Sequence, residues 1–111
     1  MRTAQLSSHR RPDWCLPLDH ASPVPLWAQI ESRLAGAIRE HRLTAGERLP
    51  AEPDLARALG ISRNTLRQGL RRLSTCGVLV RAPGFGTRVC AQPTEVLQGL
   101  PIPDLTPTAN W

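Results

Sequence analysis

Apolar residues recur at the spacing of an α-helix in the middle of the chain. After Leu26 the repeating apolar residues are Trp27, Ile30, Leu34, Ala37 and Ile38. Charged residues lie mostly off that stripe, so the pattern predicts a first helix over about residues 26–41 that buries one face. The turn that follows carries Gly46, and Arg48 with Leu49 is predicted to form a very short strand.

Two further helices are predicted directly after this turn. The second helix begins just before Pro53, which is tolerated because a first helical turn leaves its amide hydrogens unpaired, and it ends at Gly60. The third helix, over about residues 62–76, has Ser62 as its N-cap and Gly77 as its stop. Two helices joined by so short a turn cross at a steep angle, as in a helix-turn-helix.

The rest of the regular region is predicted to be a β-hairpin. Residues 78–81 and 87–90 are strand-like and flank a turn that contains Gly84 and Gly86. The predicted fold is therefore α+β and mainly α, a winged helix-turn-helix of three helices and a β-hairpin wing. This domain is expected to span residues 24–90.

Both ends of the chain differ in composition from the domain. Residues 1–23 and 91–111 contain several prolines and lack sustained periodicity, so we predict a flexible N-terminal tail and a proline-rich C-terminal tail. A short helical turn over residues 95–98 and docking of Trp14 or Trp111 on the domain are open alternatives.

The composition favours a nucleic-acid partner. The 111-residue chain has a net charge of +5, and all 14 of its basic residues are arginine. The planar guanidinium suits phosphates and base edges. A chain of this length buries one modest core, which disfavours a multi-step enzyme with its own cofactor domain. No nucleophile–base pair or phosphate-binding glycine loop is present in the sequence, so we predict neither enzyme activity nor a cofactor.

The three cysteines fit neither a disulfide framework nor a metal site. Cys15, Cys76 and Cys90 are widely spaced, and combining them with His20 gives no zinc-ligand spacing, so no metal is predicted. No stretch has the length of a membrane span or the pattern of an export signal. We therefore expect a soluble cytoplasmic protein with no membrane partner.

The third predicted helix carries four arginines and no acid. At about 100° per residue, Leu66, Leu70 and Leu73 fall within an arc of about 60° that should face the core. The remaining surface carries Asn64, Arg67, Gln68, Arg71 and Arg72, with Arg63 at the edge of the apolar arc. A solvated helix face is the alternative interpretation. Like charges four residues apart repel, however, and a polyanion would relieve that repulsion.

A helix-turn-helix places the N-terminal part of its second helix, here the third predicted helix of the chain, in the major groove. There arginine can bond guanine and asparagine can bond adenine. We therefore predict DNA contacts from Ser62, Arg63, Asn64, Thr65 and Arg67. Arg71 and Arg72, further along, are better placed for phosphates or for nothing specific. Gly84 would let the hairpin backbone approach a neighbouring groove, although any tight hairpin could also carry this glycine.

A resemblance to the GntR family of bacterial transcription regulators runs over the segment PLWAQIESRLAGAIREHRLTAGERLPAEPDLARALGISRNTLRQGLRRLSTCGVLVRAPGFGTRV. It includes an LxxGxxLP-type turn, the block from Leu55 to Arg67 and a GxGT wing. The resemblance implies a winged helix-turn-helix that binds specific DNA sequences through the front of the third helix and the wing. Two departures affect the second helix: Pro53 stands where the family usually has an arginine that helps to hold DNA, and Ala51 where it usually has a capping serine.

Members of this family generally carry a second domain that binds a small effector and dimerises. Only residues 91–111 follow the predicted hairpin here, and they cannot form a ligand pocket. We therefore expect no small-molecule effector in this chain, which would be a stand-alone DNA-binding protein or a truncated regulator. Gly69 is expected to weaken the third helix by roughly 1 kcal/mol relative to alanine.

The predicted function is regulation of transcription, and repression is favoured over activation. The helix at residues 62–76 is predicted to bind in the major groove of double-stranded DNA. A single domain contacts limited surface, so a homodimer on a two-fold symmetric site is expected. A winged-helix module that binds other proteins is the alternative.

Overall fold

The computed structural model describes residues 13–82, 84 and 86–100. In chain order its elements are α1 (Leu26–Arg39), α2 (Glu52–Leu59), α3 (Arg63–Thr75), β1 (Leu79–Ala82), β2 (Gly86–Val89) and α4 (Pro93–Gln98). Three helices followed by an antiparallel hairpin form the mainly helical α+β fold, a winged helix-turn-helix, that the sequence predicts.

The turn between α2 and α3 is built from a left-handed glycine and a serine cap. Gly60 ends α2 with φ 70° and ψ 36°, a conformation that glycine adopts without steric cost. The hydroxyl of Ser62 then accepts a hydrogen bond of 3.1 Å from the backbone N–H of Thr65. This bond satisfies one of the amides that the start of a helix leaves unpaired. Both predicted signals are confirmed, and together they fix where α3 begins.

The core lies between α1, α3 and the hairpin. Leu66, Leu70 and Leu73 of α3 are buried, which confirms the predicted apolar arc. These leucines pack mainly against α1, and Val78 with Leu79 continues the core into the hairpin. The buried stripe on one side of α3 leaves the opposite side of the helix facing outward.

The hairpin is tied to the loop before α2. Residues 46–49 run along the free edge of β2, where the backbone N–H of Leu49 donates a hydrogen bond of 2.9 Å to the carbonyl oxygen of Thr87. Arg48 forms an isolated antiparallel bridge with Arg88, which confirms the very short strand predicted there. The wing therefore has a fixed position relative to the start of α2.

Some element ends differ from the predicted ones by one or two residues. Helix α1 ends at Arg39 because His41 has a φ of 62°, which a right-handed helix cannot accommodate. Strand β1 begins at Leu79 and β2 begins at Gly86, one residue later and one residue earlier than predicted.

Part of the predicted N-terminal tail belongs to the folded unit. Trp14, Cys15 and Leu18 are buried in the core, and the backbone N–H of Leu18 donates a hydrogen bond of 3.0 Å to the carbonyl oxygen of Leu59. Apolar residues spaced irregularly among prolines have no periodicity, which is why the sequence suggested a tail up to residue 23. Residues 1–12 lie outside the described part of the chain.

Arg33 of α1 fastens this N-terminal segment to the helices. Its Nη1 donates to the carbonyl oxygens of Trp14 and Leu16, at 3.0 and 2.7 Å. Burial lowers the pKa of Arg33 from its ordinary value, and the neighbouring Cys15 opposes that shift. The two carbonyl acceptors offset the desolvation of the guanidinium, so the segment is held by charge-assisted hydrogen bonds as well as by apolar packing.

The C-terminal side also packs on the domain. The short helical turn left open in the sequence is present as α4, which contacts α1 and buries Leu97. Residues 101–111, including Trp111, lie outside the described part of the chain.

Gly69 lies at the closest approach of α3 to α1. A Cβ built on Gly69 would be 2.7 Å from both Cβ and Cγ2 of Ile30. Core side chains interdigitate with few voids, so a shift of the whole helix would be needed to make room. The sequence suggested that this glycine only weakens α3, whereas the structure shows that it permits the helix pair to pack.

Replacing Gly69 with alanine is therefore expected to lower the free energy of unfolding by about 1–3 kcal/mol, the usual cost of overpacking. Helix propensity alone predicts a gain of about 1 kcal/mol. Urea denaturation measures the difference. Gln68→Ala, at the exposed neighbouring position, is the control, with an expected change within about 0.5 kcal/mol. A Gly69→Ala variant more stable than the parent would contradict the close packing.

Trp14→Ala is expected to lower the free energy of unfolding by about 3 kcal/mol, because a buried aromatic side chain leaves a cavity. Trp14 is 3% exposed, whereas Leu16 is 53% exposed. The control Leu16→Ala should change stability by no more than about 0.5 kcal/mol. Thermal denaturation of both variants checks this, and a small, equal effect would argue against a folded segment at residue 14.

Candidate nucleic-acid interface

The outward face of α3 carries most of the polar residues predicted to contact DNA. Arg63, Asn64, Arg67 and Arg71 are exposed, and Thr65 is half-buried. The hydroxyl of the exposed Ser62 donates to that of Thr65 at 2.9 Å and also caps the helix. Ser62 and Thr65 are therefore partly engaged with each other, while the front of α3 remains open to a partner.

An acid from the neighbouring helix holds Arg67. The Nε atom of Arg67 lies 3.0 Å from Oε1 of Glu52, the first residue of α2. The second carboxylate oxygen, Oε2, lies 3.7 Å from Nη2 of Arg81 in β1. The Glu52 side chain is only 19% exposed. One partly buried carboxylate therefore joins α3 to the wing.

Arg72 turns toward α1 rather than toward the front of α3. Its Nε donates to the carboxylate of Glu31, and its guanidinium carbon lies 4.4 Å from the centroid of the Trp27 ring. Glu31 is 7% exposed, so the pair provides a partner for a buried acid, and the cation–π contact adds to it. We predicted Arg72 among the DNA-binding residues; the structure places it in a contact between helices, and a contribution to DNA binding stays a prediction.

Arg63 and Arg71 differ from these two arginines. Across the described ranges 13–82, 84 and 86–100, neither residue forms an ion pair. Both are exposed on α3. The four arginines thus fall into two groups, and Arg63 and Arg71 are the two that pair with no acid of the described residues.

The tip of the wing is open. Gly84 is exposed with a φ of 80°, and apart from its chain neighbours no described residue has an atom within 4 Å of a Cβ built there. Arg88, on β2, donates from Nη1 to the carbonyl oxygen of Gly46 at 3.1 Å. Pro83 and Phe85, which flank Gly84, lie outside the described residues. The geometry leaves room for another molecule at Gly84.

A recess of about 490 Å³ separates the start of α2 from the wing. Arg48 and Arg81 are the cations along its wall, with Glu52 between helix and hairpin. Arg48 is not among the residues that the sequence predicts to contact DNA. A Cβ on Gly86 would lie 3.2 Å from Nε of Arg48, so this glycine leaves space for the guanidinium. The very short strand predicted at Arg48 and Leu49 was the signal that could have indicated it, because a strand needs a neighbouring strand to pair with.

The two departures in the second helix are visible at its first turn. Ala51 occupies the N-cap and makes no side-chain cap hydrogen bond, and Pro53 lies within the first turn. Glu52 and Asp54 supply negative charge to the amide end of the helix dipole. This end of α2 therefore presents the carboxylate of Glu52 to the recess, and Pro53 beside it supplies no arginine.

The cysteines and acids of the described residues are scattered. Within residues 13–82, 84 and 86–100, no group of three or more histidine, cysteine, aspartate or glutamate side chains is arranged to hold a metal ion. Cys15 is buried, Cys76 is exposed to solvent and Cys90 is half-buried. In the same described ranges no helix is both long and apolar enough to cross a membrane.

Fold and site together define a winged helix-turn-helix domain with a basic helix beside a basic hairpin. The family model described as "Bacterial regulatory proteins, gntR family" matches residues 26–89. The chain therefore belongs to the GntR family of bacterial regulatory proteins, as the sequence resemblance implied.

Several curated proteins are similar to this chain. The HTH-type transcriptional repressor NagR of Bacillus subtilis (strain 168) is 39% identical over 84 residues, which are 75% of this chain and 35% of NagR. The histidine utilization repressor of Pseudomonas aeruginosa is 38% identical over 67 residues, 60% of this chain and 27% of that protein. The chain thus spans only 35% and 27% of the length of these two relatives.

Solved structures share the fold. The AraR DNA-binding domain in complex with operator ORX1 has a TM-score of 0.62 and 26% identity, covering 68% of this chain and 96% of that one. A GntR protein of Streptococcus agalactiae has a TM-score of 0.53 and 33% identity, covering 60% of this chain and 32% of that one. The relatives and the fold are those of DNA-binding regulators, not of enzymes.

Arg72→Ala is expected to lower the free energy of unfolding by about 1–2 kcal/mol, because the buried carboxylate of Glu31 loses its partner. The value is at the low end because the Arg72 side chain is 59% exposed and water screens the pair. Urea denaturation measures it. Arg71→Ala, which breaks no ion pair, should stay within about 0.5 kcal/mol of the parent. Equal changes in the two variants would contradict the different placement of these arginines.

Proposed function

We propose that this chain is a sequence-specific transcription regulator that inserts α3 into the major groove of double-stranded DNA and acts as a repressor. The proposal rests chiefly on the exposed front of α3, where Arg63, which pairs with no acid in the described part of the chain, lies beside Asn64. The names of NagR and the histidine utilization repressor, and the operator bound to the AraR domain, support it.

The residues of α3 divide the work of recognition in this proposal. Arg63 and Asn64, at the front of the helix, read base edges, where a good two-bond contact discriminates against a wrong base by about 1–3 kcal/mol. Arg67 reads a base with the atoms that Glu52 leaves free. Arg71, one turn further along, contacts a phosphate and therefore adds affinity without sequence preference. Ser62 and Thr65 add contacts at the capped start of the helix.

The wing supplies the second contact. Gly84 approaches a neighbouring groove, where the absence of a side chain lets the backbone come close. Arg48 and Arg81, along the recess between α2 and the wing, attract the phosphates that border that groove. Arg48 in this role compensates for the arginine missing at residue 53.

Two copies of the chain are proposed to bind a two-fold symmetric site, because one module contacts too little surface for useful affinity. The recess between α2 and the wing opens on the proposed DNA face, so we propose that it holds the duplex rather than a small-molecule effector. Since the partner is chromosomal DNA, the proposed place of action is the bacterial cytoplasm.

Selection from a random duplex pool tests the proposal, and it should return a two-fold symmetric motif. Binding should weaken as salt rises, because phosphate contacts release counterions. An enriched pool without a motif, or binding indifferent to salt, would contradict the proposal. A chain that ignores duplex DNA at low salt yet retains a protein partner would favour the interaction module instead.

Arg63→Ala is expected to relax base preference at one position of the motif, whereas Arg71→Ala should weaken all sequences alike and reduce the salt slope by about 1. Arg42→Ala is the charge-matched control. Arg42 lies after α1, outside the proposed interface, and Glu40 is 3.3 Å away. Arg42→Ala should alter neither the base preference nor the salt slope. Titration of each variant against the selected duplex and a scrambled one measures both, and equal effects of all three would refute the division of roles.

A further inference from the structure

We propose that Glu52 is a positioning residue for base readout, which orients Arg67 toward a base and ties this arginine to the wing. The inference rests on the proposed DNA-binding function. It concerns a residue whose charge has the wrong sign for contact with phosphates, on a face that is otherwise cationic.

The contact between Glu52 and Arg67 leaves the useful edge of the guanidinium free. Arginine has five N–H donors, and here Nε, 3.0 Å from Oε1 of Glu52, uses one of them. The two terminal nitrogens keep their four N–H groups, and their fork matches the O6 and N7 acceptors of guanine. A guanidinium held at Nε cannot rotate freely, so the fork points in one direction.

Without the contact to Glu52, Arg67 could bind a DNA phosphate instead of a base. Its side chain is 47% exposed and long enough to turn aside. Phosphate oxygens lie on both sides of the groove and accept arginine without regard to sequence. Glu52 disfavours this alternative in two ways. It anchors the side chain of Arg67, and its own negative charge repels a phosphate that approaches the Nε atom of Arg67.

The second contact of Glu52 extends the effect to the wing. Its Oε2 lies 3.7 Å from Nη2 of Arg81 in β1, and Glu52 is the first residue of α2. One carboxylate therefore sets α3, α2 and the hairpin relative to one another at the border of the recess. The proposed major-groove contact of Arg67 and the proposed wing contact then hold a fixed spacing.

A purely structural role for Glu52 makes a different prediction. If the carboxylate only stabilised the fold or the helix dipole, its loss would weaken binding to all sequences alike. If it positions Arg67, its loss lowers sequence preference while binding to unrelated DNA is kept or increased, since a negative charge has been removed. Asp54 is the matched control: it is an acid in the same helical turn, 68% exposed, and it pairs with Arg57 of its own helix.

The experiment compares Glu52→Gln and Asp54→Asn with the parent. Dissociation constants are measured at one salt concentration for the selected duplex and for a duplex changed at the base pair whose preference Arg67→Ala abolishes. Asp54→Asn should keep the preference within about twofold, whereas Glu52→Gln should lose about five- to tenfold of it, a substantial part of a two-bond base contact. Both variants should bind unrelated duplex at least as well as the parent, because each removes one negative charge.

The double variant separates positioning from an independent effect. In the Arg67→Ala background, Glu52→Gln should cause no further loss of preference, since the residue that it positions is absent. If the double variant loses preference by the product of the two single-variant factors, the two residues act independently and the inference is overturned. Thermal denaturation verifies that Glu52→Gln is folded. If it is not, Glu52→Asp, which keeps the charge and shortens the side chain, takes its place with the same expected loss of preference and with binding to unrelated duplex unchanged.

The outcomes for the two proposals are distinguishable. A parent chain with no sequence preference would contradict the proposed function itself. A parent with clear preference and a folded Glu52→Gln variant with the same preference would overturn only the role of Glu52.

Discussion

The packing of α3 against α1 is the constraint on which the rest of the structure depends. Leu66, Leu70 and Leu73 bury one side of α3, and Gly69 lets the helix approach Ile30 more closely than any side chain would allow. Once this side is fixed, every polar residue of α3 has a definite direction. The polar front of α3 faces outward because the leucines on its opposite side are buried against α1. The exposed surface of α3 is therefore basic.

Acids on neighbouring helices then sort the arginines of that surface. Glu31 of α1 takes Arg72 and Glu52 of α2 takes Arg67, and both carboxylates are largely shielded from water. A shielded carboxylate without a partner would be costly, so each acid holds its arginine in place. Of the four arginines of α3, two are thereby paired with an acid, and the other two pair with none among the residues that the structure describes. In the proposed function each group supplies one base contact, because Arg63 and Arg67 read bases, whereas Arg71 contacts a phosphate and Arg72 holds the fold.

Local signals in the sequence predicted most of the fold. Ser62 and Gly60 mark the ends of helices by their own backbone chemistry, and the apolar period gives each buried face, so these predictions needed no tertiary information. The ion pairs could not be found in this way: Arg67 and Arg72 lie 15 and 41 residues from their acids, and only the packing brings them together. Docking of Trp14 stayed an open alternative in the sequence, because its irregular contacts leave no periodic pattern. Gly69 was misjudged because propensity describes one helix, whereas its role involves two.

Helix-turn-helix chemistry and the family resemblance gave the site residues, which stay predictions, and the resemblance also revealed the departures at Ala51 and Pro53, but neither could indicate the contacts of Glu52. At the start of α2 Glu52 lies 3.7 Å from Arg81 of the wing and 3.0 Å from Arg67, and this is where part of the sequence preference is proposed to arise. The most direct test of the central claim is a map of backbone amide chemical shifts for the labelled chain with and without the selected duplex. The account predicts the largest changes at residues 62–71 and at Gly84, with little change in α4 or residues 14–18. Changes centred on α4 and the N-terminal segment, with α3 unaffected, would contradict it.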